Sequence, residues 1–192
     1  MHAPSWEGVY SEIKKVLKPG GIFGVYEWAM TDKWDPSIPE HKHLAHQIEI
    51  GNGIPEMRPI AKARDALKTV GFEVLHEEDL AERPDEVSWY YPLEGDVFKA
   101  QTVWDVFTCW RTSSNGKFVT HHGLKLLEFC GVVPKGTWDV CETLKIAGDA
   151  IVQTGQQKVC SCLTTFMDYR LRFFLQLFTP MYLVICKKPL ET

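Results

Sequence analysis

No apolar run in this 192-residue chain is long enough to cross a bilayer. The longest, Phe173 to Cys186, covers about fourteen residues and is interrupted by Gln176, Thr179 and Pro180, whereas a spanning helix needs roughly twenty. Six cysteines are present (Cys109, Cys130, Cys141, Cys160, Cys162, Cys186), yet none forms a CxxC pair or a zinc-ribbon spacing. With no secretory leader in front of them, free thiols in a reducing compartment are expected. Surplus positive charge is missing too: the net charge is −4, so the overall balance does not call for nucleic acid or an anionic membrane as a partner. There is no internal repeat and no low-complexity linker.

What remains is an ordinary globular composition, 45% hydrophobic and 24% charged, of the length of one domain with at most an appendage. Aromatic residues make up 12%, with seven Trp, which implies large apolar surfaces to fill in a core or around an apolar ligand. Val9, Tyr10, Ile13, Val16 and Leu17 recur at helical spacing, so Trp6 to Leu17 is predicted as an amphipathic helix. Pro19, Gly20 and Gly21 end it, and Ile22 to Trp28 reads as a strand buried on both faces. A loop over Asp32 to Pro39 leads to a short helix through His41 to Ile50. A second helix, Ile60 to Val70, is closed by Gly71 and followed by the half-exposed strand "FEVLHEEDL". Further helices are expected at about 99–111, 119–130 and 137–153, and a last strand at Met181 to Lys187.

Several stretches together carry a likeness. "HAPSWEGVYSEIKKVLKPGGIFGVYEWAMTDKWD", "EIGNGIP", "ALKTVGFEVLHEEDLAE", "WYYPLEGD" and "LFTPMYLVICKKP" resemble the fungal sterol 24-C-methyltransferases, and the resemblance covers nearly the whole chain. It implies an α/β fold. Residues 1–80 would be the C-terminal part of a Rossmann-like class I methyltransferase domain, and 81–192 the helical sterol methyltransferase C-terminal region. The three predicted strands would be the family's fifth, sixth and seventh, lying side by side with the seventh in the middle.

The resemblance also implies transfer of a methyl group from S-adenosylmethionine to C24 of a Δ24 sterol in ergosterol synthesis. A cationic cofactor and a carbocation in an apolar pocket call for aromatic faces and exclusion of water. Implied partners are the sterol substrate and, for the intact family, further copies of the same subunit. No nucleic acid is implied. Location would be peripheral, on the cytoplasmic side of the endoplasmic reticulum membrane or on lipid droplets. The family's glycine-rich cofactor loop and the acidic residue that holds the ribose have no counterpart here, since Gly51 and Gly53 follow a helix and not a strand. The chain thus reads as the second part of such an enzyme and is not expected to bind S-adenosylmethionine alone. The alternative is a non-catalytic module that binds sterol or pairs with other subunits through the open edge of the Ile22–Trp28 strand.

One stretch departs from the family. Val159 to Gln176 intervenes where the family runs almost directly into "LFTPMYLV". Because Val codons begin with GT and one Gln codon is CAG, a retained in-frame intron is one reading and a lineage-specific loop the other.

Tyr26, Glu27 and Trp28 match the family's "YEW" at the C-terminal end of a strand, where open α/β sheets place ligands. Alternation sets Tyr26 and Trp28 on one face and Glu27 on the other. Glu27 is a catalytic candidate and the two aromatics a substrate wall; core packing around a satisfied carboxylate is the alternative. Glu49 is a second catalytic candidate, or else the cap of a helix end. Trp89, Tyr90 and Tyr91 offer a surface for a flat polycyclic ligand, or plain core. His2 matches a family element beside the cofactor. Of His41, His43 and His46, only the last two share a helix face, so no metal is expected. His121 and His122 are placed at a loop-to-helix junction, and Thr31 and Asp32 at a cap or turn.

Overall fold

The computed structural model describes residues 3–156 and 176–190. Helix α1 (Trp6–Val16) begins where the Ser5 hydroxyl accepts the Gly8 N–H at 3.0 Å, satisfying one of the free amides of the first turn. Gly20, at φ 75°, makes the reversal into strand β1 (Ile22–Met30). Helix α2 (Pro39–Asn52) and helix α3 (Ile60–Val70) each end on a left-handed glycine, Gly53 and Gly71. Lys14 donates to the Val70 and Gly71 carbonyls, tying α1 to the end of α3. Strand β2 (Glu73–Asp79) follows. The chain then runs through the one-turn helix α4 (Tyr91–Glu94), helix α5 (Val103–Thr112), helix α6 (Ser114–Phe129) and helix α7 (Thr137–Gln156). Strand β3 (Phe178–Lys187) returns to the sheet.

The sheet order is β1-β3-β2, with β3 antiparallel to both neighbours. This puts the last strand in the middle, the arrangement expected from the family likeness. It also makes β1 and β2 parallel, so their C-terminal ends share one side of the fold. One face of the sheet packs on α1 and α3 through a core of Trp6, Tyr10, Ala63, Leu67, Phe72 and Tyr182. A second core gathers Met30, Leu44, Ile48, Ala150, Leu177 and Phe178 where the sheet's end meets α2 and α7.

The expectation that Ile22–Trp28 is buried on both faces is corrected. Ile22 is 64% and Tyr26 61% exposed. β1 is an edge strand, and its Phe23–Val25–Glu27 face alone meets α1 and α3. The other face is covered only from Trp28 onward, past a bulge between Glu27 and Ala29. Pro180 lies opposite that bulge, where a residue without an N–H leaves no ladder bond broken.

Two helix starts also differ. α5 begins at Val103 because Thr102 and Asp105 form a capping box. α6 begins at Ser114, capped by the Ser113 hydroxyl, so His121 and His122 lie inside a helix and not at a junction. The inserted stretch 159–176 lies outside the described residues apart from Gln176. Cys109, Cys130, Cys141 and Cys186 are free thiols.

Candidate functional site

The end of β1 is fastened to the start of β3. The Thr31 amide donates to the Leu177 carbonyl at 2.9 Å, and the Thr31 hydroxyl to the Gln176 carbonyl at 2.5 Å. This brings Phe178 under Trp28, their rings edge-on at 5.4 Å. Trp89 meets the same Phe178 at 6.1 Å and stacks edge-on against Tyr90 at 5.3 Å. Two of the five aromatics predicted from sequence, Trp28 and Trp89, therefore meet at Phe178, and a third, Tyr90, packs behind Trp89. Trp34 and Leu93 pack against the same core. Tyr26 stands apart in solvent, and Tyr91 turns outward to donate its hydroxyl to Asp105 at 2.9 Å. Sequence reasoning did not mark Phe178, since it starts the final strand at Met181 and the strand begins at Phe178.

Among the described residues, two polar atoms in this region are buried without a partner, the Trp89 indole N–H and the Gln176 side-chain amide nitrogen. Buried donors left without acceptors are costly, and such groups often mark a place where something else supplies the acceptor.

Both candidate carboxylates are engaged by the protein itself. Glu27 is buried and accepts the Tyr10 hydroxyl at 2.7 Å, on the layer of α1 and α3. Strand alternation thus separates it from the aromatic cluster. Burial raises its pKa above the ordinary carboxylate value, and the Tyr10 hydrogen bond opposes this only partly. Glu49 accepts the Met57 N–H at 2.7 Å and lies 3.2 Å from the His46 ring, bracing the Gly53–Met57 loop against α2. His2 lies outside the described residues.

Beside the aromatic cluster, a cavity of about 340 Å³ opens between α2, α6 and α7. Leu93, Leu144, Ala147 and Ile151 supply its apolar wall, and Arg111, Lys117, His121, Glu142, Lys145 and Asp149 line its polar side. Leu93 and Ile151 line the cavity and also belong to the second core, so the two are continuous. A smaller, polar cleft of about 260 Å³ lies where the C-terminal ends of β1 and β2 meet. There Glu77 accepts from Arg64 and from the Tyr182 hydroxyl, each at 2.8 Å, and Arg64 holds its carboxyl below the usual range. Asp79 accepts the Thr179 hydroxyl at 2.6 Å, while burial pushes its pKa up. Among the described residues no group of His, Cys, Asp or Glu is placed to hold a metal ion.

Comparison with known proteins bears on this arrangement of aromatics and helices. The sterol methyltransferase C-terminal family matches residues 107–167. The chain is 48% identical over 190 residues to the sterol 24-C-methyltransferase of Schizosaccharomyces pombe, covering 98% of this chain and 46% of that protein. It is 48% identical over 191 residues to the Candida albicans sterol 24-C-methyltransferase, 100% of this chain and 46% of that protein. The Saccharomyces cerevisiae enzyme of the same name is 45% identical over 188 residues, 98% of this chain and 44% of its own length. The chain is a relative of the fungal sterol 24-C-methyltransferases. It spans about half the length of the curated relatives it matches, and the part matched is C-terminal.

Methyltransferases of this kind use S-adenosylmethionine, and the described residues of this sterol methyltransferase relative do not fit that cofactor. Its left-handed glycines, Gly20, Gly53, Gly71, Gly95, Gly131 and Gly136, follow or precede helices. None follows a strand, where a nucleotide-binding turn would sit. Among the described residues no helix is long and apolar enough to cross a membrane.

Proposed function

We propose that these residues form the sterol-facing portion of a sterol 24-C-methyltransferase, an enzyme of ergosterol synthesis. In this reading residues 1–80 complete the far side of a Rossmann-like methyltransferase domain, and 81–192 supply the helical region against which the sterol packs. The carrying observation is the cluster of Trp28, Trp89 and Phe178 at the C-terminal end of β1, continuous through Leu93 and Ile151 with an apolar cavity. Ligand sites are mostly apolar, concave and of about this size. Aromatic faces stabilise a passing carbocation without offering it a nucleophile, and the packed wall keeps water from reaching it.

Within that site Trp28, Trp89 and Tyr90 are assigned the sterol contact. Glu27 and Glu49 are assigned a positioning role, since each is already bound by protein groups. The methyl donor would be held by residues other than those described, so the 192 residues alone are assigned no turnover. The enzyme's location would be peripheral, at the endoplasmic reticulum membrane or lipid droplets, as suits a membrane-borne substrate. A second reading, a non-catalytic sterol-binding or subunit-pairing module, is favoured by the open edge of β1 with Ile22 and Tyr26 in solvent.

Calorimetric titration with a Δ24 sterol in detergent and, separately, with S-adenosylmethionine tests the assignment. Sterol binding that Trp89→Ala and Leu93→Arg weaken by tenfold or more, with no binding of S-adenosylmethionine, is expected. Sterol binding indifferent to both substitutions, or methyl transfer by the isolated chain, would overturn it.

A further inference from the structure

Two donors in the second core are unused by methyl transfer. Among the described residues, the Trp89 indole N–H and the Gln176 side-chain amide nitrogen are the buried side-chain groups left without a partner. Gln176 is only 8% exposed, and its backbone carbonyl is held by the Thr31 hydroxyl. It lies two residues before Phe178, against whose ring Trp89 packs edge-on. Both donors thus belong to the aromatic wall at the end of β1. The two candidate carboxylates do not answer them: Glu27 is shut in with Tyr10, and Glu49 is held by the Met57 amide.

The nature of the missing acceptor follows from the wall itself. Leaving a buried donor unanswered is costly. Water would answer both, yet water at this wall would capture the carbocation of the proposed reaction. The Δ24 alkene offers no lone pair. N–H groups stabilise developing negative charge and do nothing for a cation, so the chemistry of the substrate does not account for them. The oxygen of a hydroxyl does. It accepts from the Trp89 N–H, and it suits either orientation of the Gln176 amide, accepting from the nitrogen or donating to the oxygen. The ring hydroxyl of a sterol is provided for elsewhere, since the cavity's polar side carries Arg111, Lys117 and His121 on α5 and α6.

We infer that Trp89 and Gln176 select a sterol with a hydroxyl at C24 or C25 in place of the alkene, and that such a sterol is a regulatory ligand of this site. It fills the same apolar cavity and answers the two donors that the Δ24 substrate leaves bare. Lacking the alkene, it cannot accept a methyl group, so it occupies the site at the expense of substrate. Sites built to bond a hydroxyl discriminate strongly against the analogue that lacks it, because their own buried groups are then left unpaired. Such selection rests on the sterol-binding reading of the site and adds to it a ligand class and two selecting groups.

The 192-residue chain, in detergent, is titrated calorimetrically with a Δ24 sterol and with the 25-hydroxy sterol of the same ring system. The hydroxysterol is expected to bind on the order of tenfold more tightly and to displace the Δ24 sterol. Gln176→Leu with Trp89→Phe keeps an aromatic ring but neither donor. In that double variant the two sterols bind within about twofold of each other, with an unchanged far-ultraviolet circular dichroism spectrum. Should it unfold, the Trp89 indole proton resonance of the unsubstituted chain decides: it moves downfield with the hydroxysterol and not with the Δ24 sterol. Equal affinities in the unsubstituted chain, an undiminished preference in the double variant, or an indole resonance blind to the hydroxyl would overturn the inference. Any of those results together with binding of the Δ24 sterol leaves the sterol site standing without the selection, whereas binding of neither sterol ends both.

Discussion

Replacing Tyr10 by Phe removes one oxygen from the packed side of the sheet and leaves a buried carboxylate alone. Tyr10 is fully buried and Glu27 nearly so, and the hydrogen bond between them is 2.7 Å. Burial and the facing carboxylate hold the Tyr10 hydroxyl protonated far above its ordinary pKa, so it is the donor at every accessible pH. A hydrogen bond to a charged group contributes about 1.5–3 kcal/mol, and a stranded buried acceptor adds to the loss. Tyr10→Phe is therefore expected to lower stability by about 2–3 kcal/mol at a pH where Glu27 is ionised.

Glu27→Gln should behave differently. Burial, the larger effect, raises the Glu27 pKa in the folded chain. As pH rises, the unfolded carboxyl loses its proton first, so the folded state binds more protons in between. Stability contributed by this group is thus complete below about pH 4.5 and declines as pH rises through the folded value. Gln removes that decline and still accepts from Tyr10. It is expected to be within about 1 kcal/mol of the unsubstituted chain at pH 7, with the balance moving toward the variant as pH rises from 4. For Tyr10→Phe the loss should shrink to about 1 kcal/mol at acid pH, where the pair is neutral. Urea unfolding followed by tryptophan emission between pH 4 and 8 measures both. A loss for Tyr10→Phe that stays constant across the whole range from pH 4 to 8, or a loss above 2 kcal/mol for Glu27→Gln at pH 7, would refute the reasoning.

At Gly51 helix α2 passes close against α7, and an added Cβ would fall well inside contact with the Ala147 Cβ. Gly51→Ala should therefore destabilise by about 1–3 kcal/mol, read as a lowered urea midpoint, despite alanine's better helix propensity. Thr102→Ala removes the side-chain half of the α5 capping box and should lower stability by about 1 kcal/mol, with the loss of helical signal confined to the first turn of α5 in amide exchange.

Local rules carried much of the architecture. Ile60–Val70, Gly71 and β2 were readable because each element announces itself within a few residues: a 3.6 period, a left-handed glycine, then alternation. The family likeness was readable for the same reason, since it rests on contiguous motifs. The candidate site was readable in part. Tyr26, Trp28, Trp89, Tyr90 and Tyr91 were named as aromatics suited to an apolar ligand, but Phe178, on which Trp28 and Trp89 meet, lay before the predicted start of the last strand.

Glu27 shows where local reading stops. Its partner, Tyr10, lies on another element 17 positions away, and no spacing rule joins them. The same limit governs α5, whose exposed stripe of Val103, Phe107 and Trp110 would look identical whether it met a core or water. Periodicity names a stripe without naming its neighbour. The letters by themselves determined the longer helices and the three strands, to within a few residues at their ends, and the lineage of this chain. Only the packed structure decided that β1 is a half-bare edge, that Glu27 is shut in with Tyr10, and that the aromatics of α5 stand outside, because each depends on what another part of the chain brings beside it.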